Sequence, residues 1–134
     1  MQNINMINAG DVYRRQSILT ANPAELIVLL YDGLKKNLLL SKRHIDRNNP
    51  ALAHECLMKA QAIVEELVNC LDMSIPLSDE LMPLYEFMLH TMTQVNLKKD
   101  SSLIPPVVEI VTELEEAWEV IAASNKGILS LVND

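Results

Sequence analysis

Residues 50–72 read PALAHECLMKAQAIVEELVNCLD, and this stretch decides the fold. Its apolar residues Ala53, Leu57, Ala60, Val64, Leu67 and Leu71 recur at steps of 4-3-4-3-4. Such steps keep side chains on one face of an α-helix, and their alternation makes the seam along which helices pack side by side. Cys56, Ile63 and Cys70 widen the seam into a broader face. Asn49-Pro50 supplies a cap and an N1 proline at the start, and Met73-Ser74-Ile75-Pro76 breaks the helix at the end.

The same grammar recurs on both sides. Upstream, Asn22-Pro23-Ala24-Glu25 combines a capping residue, an N1 proline and a glutamate at N3. Ile27, Tyr31, Leu34, Leu38 and Ile45 then share a face, and Arg47-Asn48-Asn49 makes the turn. Downstream, Ser78 is the expected cap of a helix striped by Leu81, Tyr85, Met88, Met92 and Val95, with Asp79 and Glu80 at the favourable end of the dipole and Lys98-Lys99 at the other. The last stripe is Ile104, Val107, Val111, Leu114, Trp118 and Ile121, with Pro105-Pro106 at its head. Asn125-Lys126-Gly127 interrupts it, and Ile128–Val132 has apolar residues enough for a short fifth helix.

The expectation is an all-α fold, an antiparallel up-down four-helix bundle with connections of four to seven residues. Its helices should span about 22–46, 50–72, 78–99 and 105–124. Residues 1–21 form an irregular N-terminal arm without helical period, and 125–134 a short apolar tail.

The arithmetic agrees. The chain has 134 residues, enough for one core, with 49% apolar residues, 3 Gly and 6 Pro. That is too apolar for disorder and too poor in turn residues for a β-sandwich. Net charge is −7, which repels phosphate backbones and argues against a nucleic-acid partner. No stretch is long and apolar enough to span a membrane, and the first residues do not read as a secretory signal. Cys56 and Cys70 on one helix would stand about 21 Å apart along its axis, beyond disulfide reach. Free thiols and no leader point to the cytoplasm.

Catalytic chemistry finds no footing. A di-iron bundle needs Glu-x-x-His pairs, and the sequence has none. Glu86 and His90 share a face that points away from the Tyr85, Met88 and Met92 stripe. His44 and His54 have no sequence partner that would make them ligands. Glycine-rich loops, nucleophile elbows and zinc spacings are absent. The reading is a non-enzyme that takes no cofactor and no metal.

Function must therefore come from surface. Mean hydropathy is +0.11, and the second and fourth helices carry more apolar residues than one seam uses. Cys56, Ile63, Cys70, Val108 and Ile110, with the Tyr31 face of the first helix, are the candidates for a groove that accepts an amphipathic helix of a partner. Seven methionines suit an adaptable surface. The apolar residues of the arm, including Ile7, Val12, Ile18 and Leu19, need a place to dock, which a groove provides.

Specific residues then become familiar. Tyr13, followed by Ser17-Ile18-Leu19-Thr20-Ala21-Asn22-Pro23-Ala24-Glu25-Leu26 and Leu30-Tyr31-Asp32-Gly33, resembles the opening of the flagellar secretion chaperone FliS family. Ala60-Gln61, Ile63-Val64, Glu66-Leu67 and Leu71-Asp72 resemble its second helix. Leu84-Tyr85 through Met88, with Asn96 and Lys98-Lys99-Asp100, resembles its third, and Leu114-Glu115 with Trp118 its fourth. The loop Ser74-Ile75-Pro76-Leu77 and the pair Pro105-Pro106 depart from the family pattern.

The resemblance implies a cytoplasmic export chaperone. Its partner would be the C-terminal segment of flagellin, held in apolar grooves so that it does not polymerise early, and delivered to the flagellar type III export apparatus. The resemblance also implies that Tyr13 and its apolar neighbours cover part of the groove until flagellin displaces them. The rival expectation is an adaptor or structural bundle that forms a homodimer through the same apolar face, without flagellin.

Overall fold

A computed structural model describes the backbone of residues 23–133 and the side chains of residues 23–124. The fold is all-α. Helix α1 spans Pro23–Asp46, α2 Pro50–Asn69, α3 Pro76–Lys98 and α4 Ile104–Asn133, with a 3-10 turn at Ser101–Leu103 before α4. Short connections reverse the chain between successive helices, as an up-down helical bundle requires. The arm at 1–21 lies outside the described residues. No helix among the described residues is long and apolar enough to cross a membrane.

Leu30–Leu114 forms one compact unit. Its core is the stripe set read from periodicity. Tyr31, Leu34 and Leu38 are buried on α1; Ala53, Leu57, Ala60, Val64 and Leu67 on α2; Leu81, Tyr85, Met88, Met92 and Val95 on α3; Ile104, Val107 and Val111 on α4. Ser41 fills the next stripe position of α1, fully buried, and its hydroxyl donates to the Leu38 carbonyl at 2.7 Å. That local bond removes the cost of burying an unpartnered hydroxyl. Gly33 marks the close approach of α1 to α2: a Cβ there would stand 3.4 Å from Ile63 Cδ1.

The helix ends depend on local hydrogen bonds. α1 closes with Asn48 at φ 61°, where Asn48 N–H donates to the Ile45 carbonyl and Asn49 N–H to that of His44. This is a Schellman closure with asparagine in the position glycine usually takes. Asp46 accepts from Lys42 Nζ at 2.9 Å and from Ser101 Oγ at 2.6 Å, tying the end of α1 to the 3-10 turn. These bonds, Ser101's first, hold its carboxyl below its ordinary pKa. Asp72 and Asp100 each accept from the backbone N–H and hydroxyl of the serine two residues on, and both carboxyls are lowered for that reason.

Five expectations are corrected. Ser78 does not cap α3: the helix starts at Pro76 with Ile75 as N-cap, and buried Ser78 donates instead to the Asp72 carbonyl at 2.6 Å. Proline at N1 presets the helical φ without a side-chain cap. Asn49 is the N-cap of α2 but makes no side-chain cap bond, and α2 stops at Asn69, short of Asp72. No separate fifth helix exists, because α4 continues through Asn125-Lys126-Gly127 to Asn133. One glycine inside a helix costs only about 1 kcal/mol, and no proline follows it.

The last correction concerns the seam of α4 from Leu114 onward. Leu114 and Trp118 are half-buried and Ile121 is exposed, while Glu115 and Ala122 are buried. After Val111 the buried face advances by four residues rather than three. A helix of 3.6 residues per turn drifts against a strict heptad, and a count of apolar residues alone passes over a buried glutamate. Glu115 has an interaction of its own and is not an orphaned charge.

Candidate functional site

Tyr31 and Tyr85 lie at the centre of the Leu30–Leu114 unit. Their hydroxyl oxygens are 2.5 Å apart, joining α1 to α3, and both side chains are buried. Burial pushes the Tyr85 phenol above its ordinary pKa, against the opposing pull of the Tyr31 bond. Tyr31 is therefore an interior residue of this state rather than one open to a partner.

The other groove candidates divide by exposure. Cys56 is buried, and burial raises its thiol, with Lys59 opposing. A thiol held protonated among apolar neighbours behaves as a small hydrophobe and not as a nucleophile. Cys70 is exposed at the C-cap of α2. Ile63 is half-buried and faces Gly33. Val108 and Ile110 are half-buried but stand about 200° apart around the helix axis. They border opposite edges of the Val107–Val111 seam and do not line one groove together. Ile7, Val12, Tyr13, Ile18 and Leu19 of the arm lie outside the described residues.

Exposed apolar side chains occur elsewhere too. Leu39 and Leu40 on α1, Met58 on α2, Met73, Ile75 and Leu77 around the α2–α3 connection, and Phe87 and Leu97 on α3 all face solvent. Scattered exposed apolar residues are ordinary. Two of these, Met58 and Leu97, share an open cleft of about 380 Å³ between α2 and α3, lined also by His54, Gln61, Thr93, Asn96 and Lys99. Sequence reading passed over this cleft. His54, Met58 and Gln61 follow an i, i+4, i+7 pattern on α2, but only one of the three is apolar, so the pattern gives no hydropathy signal.

Nothing at these surfaces suggests bond-making chemistry, and no cluster of metal-ligating side chains occurs among the described residues. What remains is a helical bundle that leaves several apolar side chains partly or wholly uncovered.

Known proteins agree in kind. The family described as "Flagellar protein FliS" matches residues 6–125. The Flagellar secretion chaperone FliS of Bacillus subtilis is 32% identical over 119 residues, covering 89% of this chain and 90% of the relative. Its namesake in Vibrio cholerae is 32% identical over 103 residues, covering 75% and 76%. That of Salmonella typhimurium is 27% identical over 109 residues, covering 79% and 81%. With the match running from the arm through most of α4, the chain belongs to the FliS family of flagellar secretion chaperones.

Proposed function

We infer that this chain is a cytoplasmic, non-enzymatic export chaperone that binds the disordered C-terminal segment of flagellin and delivers it to the flagellar type III export apparatus. The observation that carries the reading is the family match over residues 6–125, set on a bundle whose α1–α2 and α4 edges keep Ile63, Val108 and Ile110 only half covered. A segment that folds on binding can wrap such edges, at the cost of its ordering entropy. While bound, its apolar face is withheld from other flagellin subunits. In this reading the arm, with Tyr13 and its apolar neighbours, covers part of the groove in the free chaperone, and that competition lowers apparent affinity for flagellin.

The test is titration calorimetry of the full chain against a peptide from the C-terminal segment of the host's flagellin. Expected are saturable binding, a negative heat-capacity change from apolar burial, and tighter binding once residues 1–19 are deleted. Ile63→Glu should fold and lose binding, because the partner helix would bury an unpaired carboxylate. A full chain that shows no heat with the flagellin segment, and instead dimerises through the Ile63 face, would leave the adaptor reading in its place.

A further inference from the structure

The cleft between α2 and α3 has a fixed cationic corner. Lys99 ends α3 in the left-handed region, at φ 52° and ψ 41°, a backbone position usually given to glycine or asparagine. Its ammonium folds back onto its own helix end, donating to the Asn96 carbonyl at 2.5 Å and to Asn96 Oδ1 at 2.6 Å. A charge-assisted bond outcompetes a neutral one, so Oδ1 belongs to the ammonium, although it also stands 3.2 Å from His54 Nδ1. Asn96 Nδ2 is then the group that donates to His54 Nδ1, at 2.9 Å.

Lys99, Asn96 and His54 thus form a chain of bonds from the end of α3 across to α2. Beside them stand Met58 and Leu97, the latter 75% exposed, with Thr93 and Gln61 completing the lining. No carboxylate lines the cleft, in a chain with 18 acidic and 11 basic residues. The neighbouring Asp100 is turned onto Ser102. The cleft therefore sets two apolar side chains, Met58 and Leu97, beside a cationic end, with no carboxylate among its lining residues.

We propose that this cleft docks an acidic amphipathic helix of a partner protein. An apolar side chain of that helix sits between Met58 and Leu97, and a glutamate or aspartate about one turn away meets the Lys99 ammonium. The cleft is distinct from the Ile63 face proposed for flagellin: Met58 and Ile63 stand about 140° apart around α2, so a single partner helix seated on the cleft leaves that face uncovered.

The probe is a synthetic amphipathic peptide of about 18 residues, long enough to hold a helix, carrying two leucines per stripe flanked by glutamates. Versions with glutamine or lysine in place of glutamate are its counterparts. Each is titrated against the isotope-labelled full chain, reading amide shifts and fluorescence anisotropy. The glutamate peptide should bind roughly tenfold or more tightly than the lysine peptide, and added salt should shrink that preference. Shifts should centre on His54, Met58, Thr93 and Leu97. Leu97→Asp, at a solvent-facing position, should keep the melting temperature and lose binding, and Lys99→Gln should erase discrimination between glutamate and glutamine peptides.

Equal binding of the three peptides, or shifts centred elsewhere, overturns the proposal. So does self-association of the free chain that Leu97→Asp abolishes, which would make the cleft a contact between two copies. If Leu97→Asp removes binding of the flagellin segment, the cleft is part of that site and the separate surface is refuted, while the flagellin reading stands. If the flagellin segment binds normally and the acidic peptide does not, only the cleft proposal falls.

Discussion

The hydroxyls of Tyr31 and Tyr85 lie 2.5 Å apart between α1 and α3, with neither side chain open to water. Tyr31→Phe takes from the Tyr85 hydroxyl its partner on α1, and a buried hydroxyl that loses a partner costs roughly 1–3 kcal/mol. Urea unfolding should show that loss. The double variant Tyr31→Phe with Tyr85→Phe should recover part of it, since removing both polar ends is close to neutral. A double variant less stable than the sum of the singles would mean the pair is not coupled in this way.

The same pair sets an alkaline limit. Burial raises the Tyr85 pKa above its ordinary 10.0, so between the unfolded and folded values the unfolded chain binds fewer protons. Its contribution is then fully present below pH 10.0 and is lost as pH rises through the higher folded value. Melting temperature should fall over that alkaline window, and Tyr85→Phe should flatten the fall. Parallel profiles for the two proteins would remove Tyr85 from the account.

Gly33 gives a prediction of opposite sign. Its absent Cβ would meet Ile63 Cδ1 at 3.4 Å, an ordinary contact distance. Gly33→Ala therefore gains helix propensity with little strain and should stabilise by roughly 0.5–1 kcal/mol. Gly33→Leu pushes into Ile63 and should cost roughly 1–3 kcal/mol by overpacking. Thermal melts of the two variants should move in opposite directions.

The seam of α4 can be checked by contrast. Leu67 is 1% exposed, and Leu67→Ala should cost roughly 2–5 kcal/mol. Leu114 is half-buried, so Leu114→Ala should cost clearly less. Equal losses in chemical denaturation would restore Leu114 to the middle of the seam.

Asp46 supplies a milder test. Its carboxyl is lowered chiefly by the Ser101 hydroxyl and then by Lys42. The stability it lends is present above the ordinary value of 3.8 and is lost as pH falls through the lower folded value. Ser101→Ala should move the Asp46 carboxyl titration, followed by NMR, upward toward 3.8. An unmoved titration would assign the shift to Lys42 alone.

Much of this architecture could be read from spacing. Tyr85, Met88, Met92 and Val95 follow the helical period without interruption, and each is buried where that period puts it. The exceptions are polar residues on a buried face. Ser41 is acceptable there because it bonds to its own helix, and Glu115 because it has an interaction of its own. Neither partner is visible in a hydropathy pattern. The α2–α3 cleft escaped for another reason: His54 and Asn96 are 42 residues apart and meet only once the register of two packed helices is set. Periodicity specifies which face of a helix turns inward and says little about what two outward faces make together.

The division of the chain at Leu29 and Glu115 gives the molecule two built-in optical reporters. Trp118 is the sole tryptophan and belongs to the unit that begins at Glu115, while Tyr31 and Tyr85 belong to Leu30–Leu114. Light at the red edge of the protein absorption band excites Trp118 alone, and with the third tyrosine removed as Tyr13→Phe the tyrosine dichroism comes from Tyr31 and Tyr85 and follows the other unit. A single denaturation experiment watched through both signals therefore resolves whether the two halves melt as one cooperative body or in sequence, with no dye or added label.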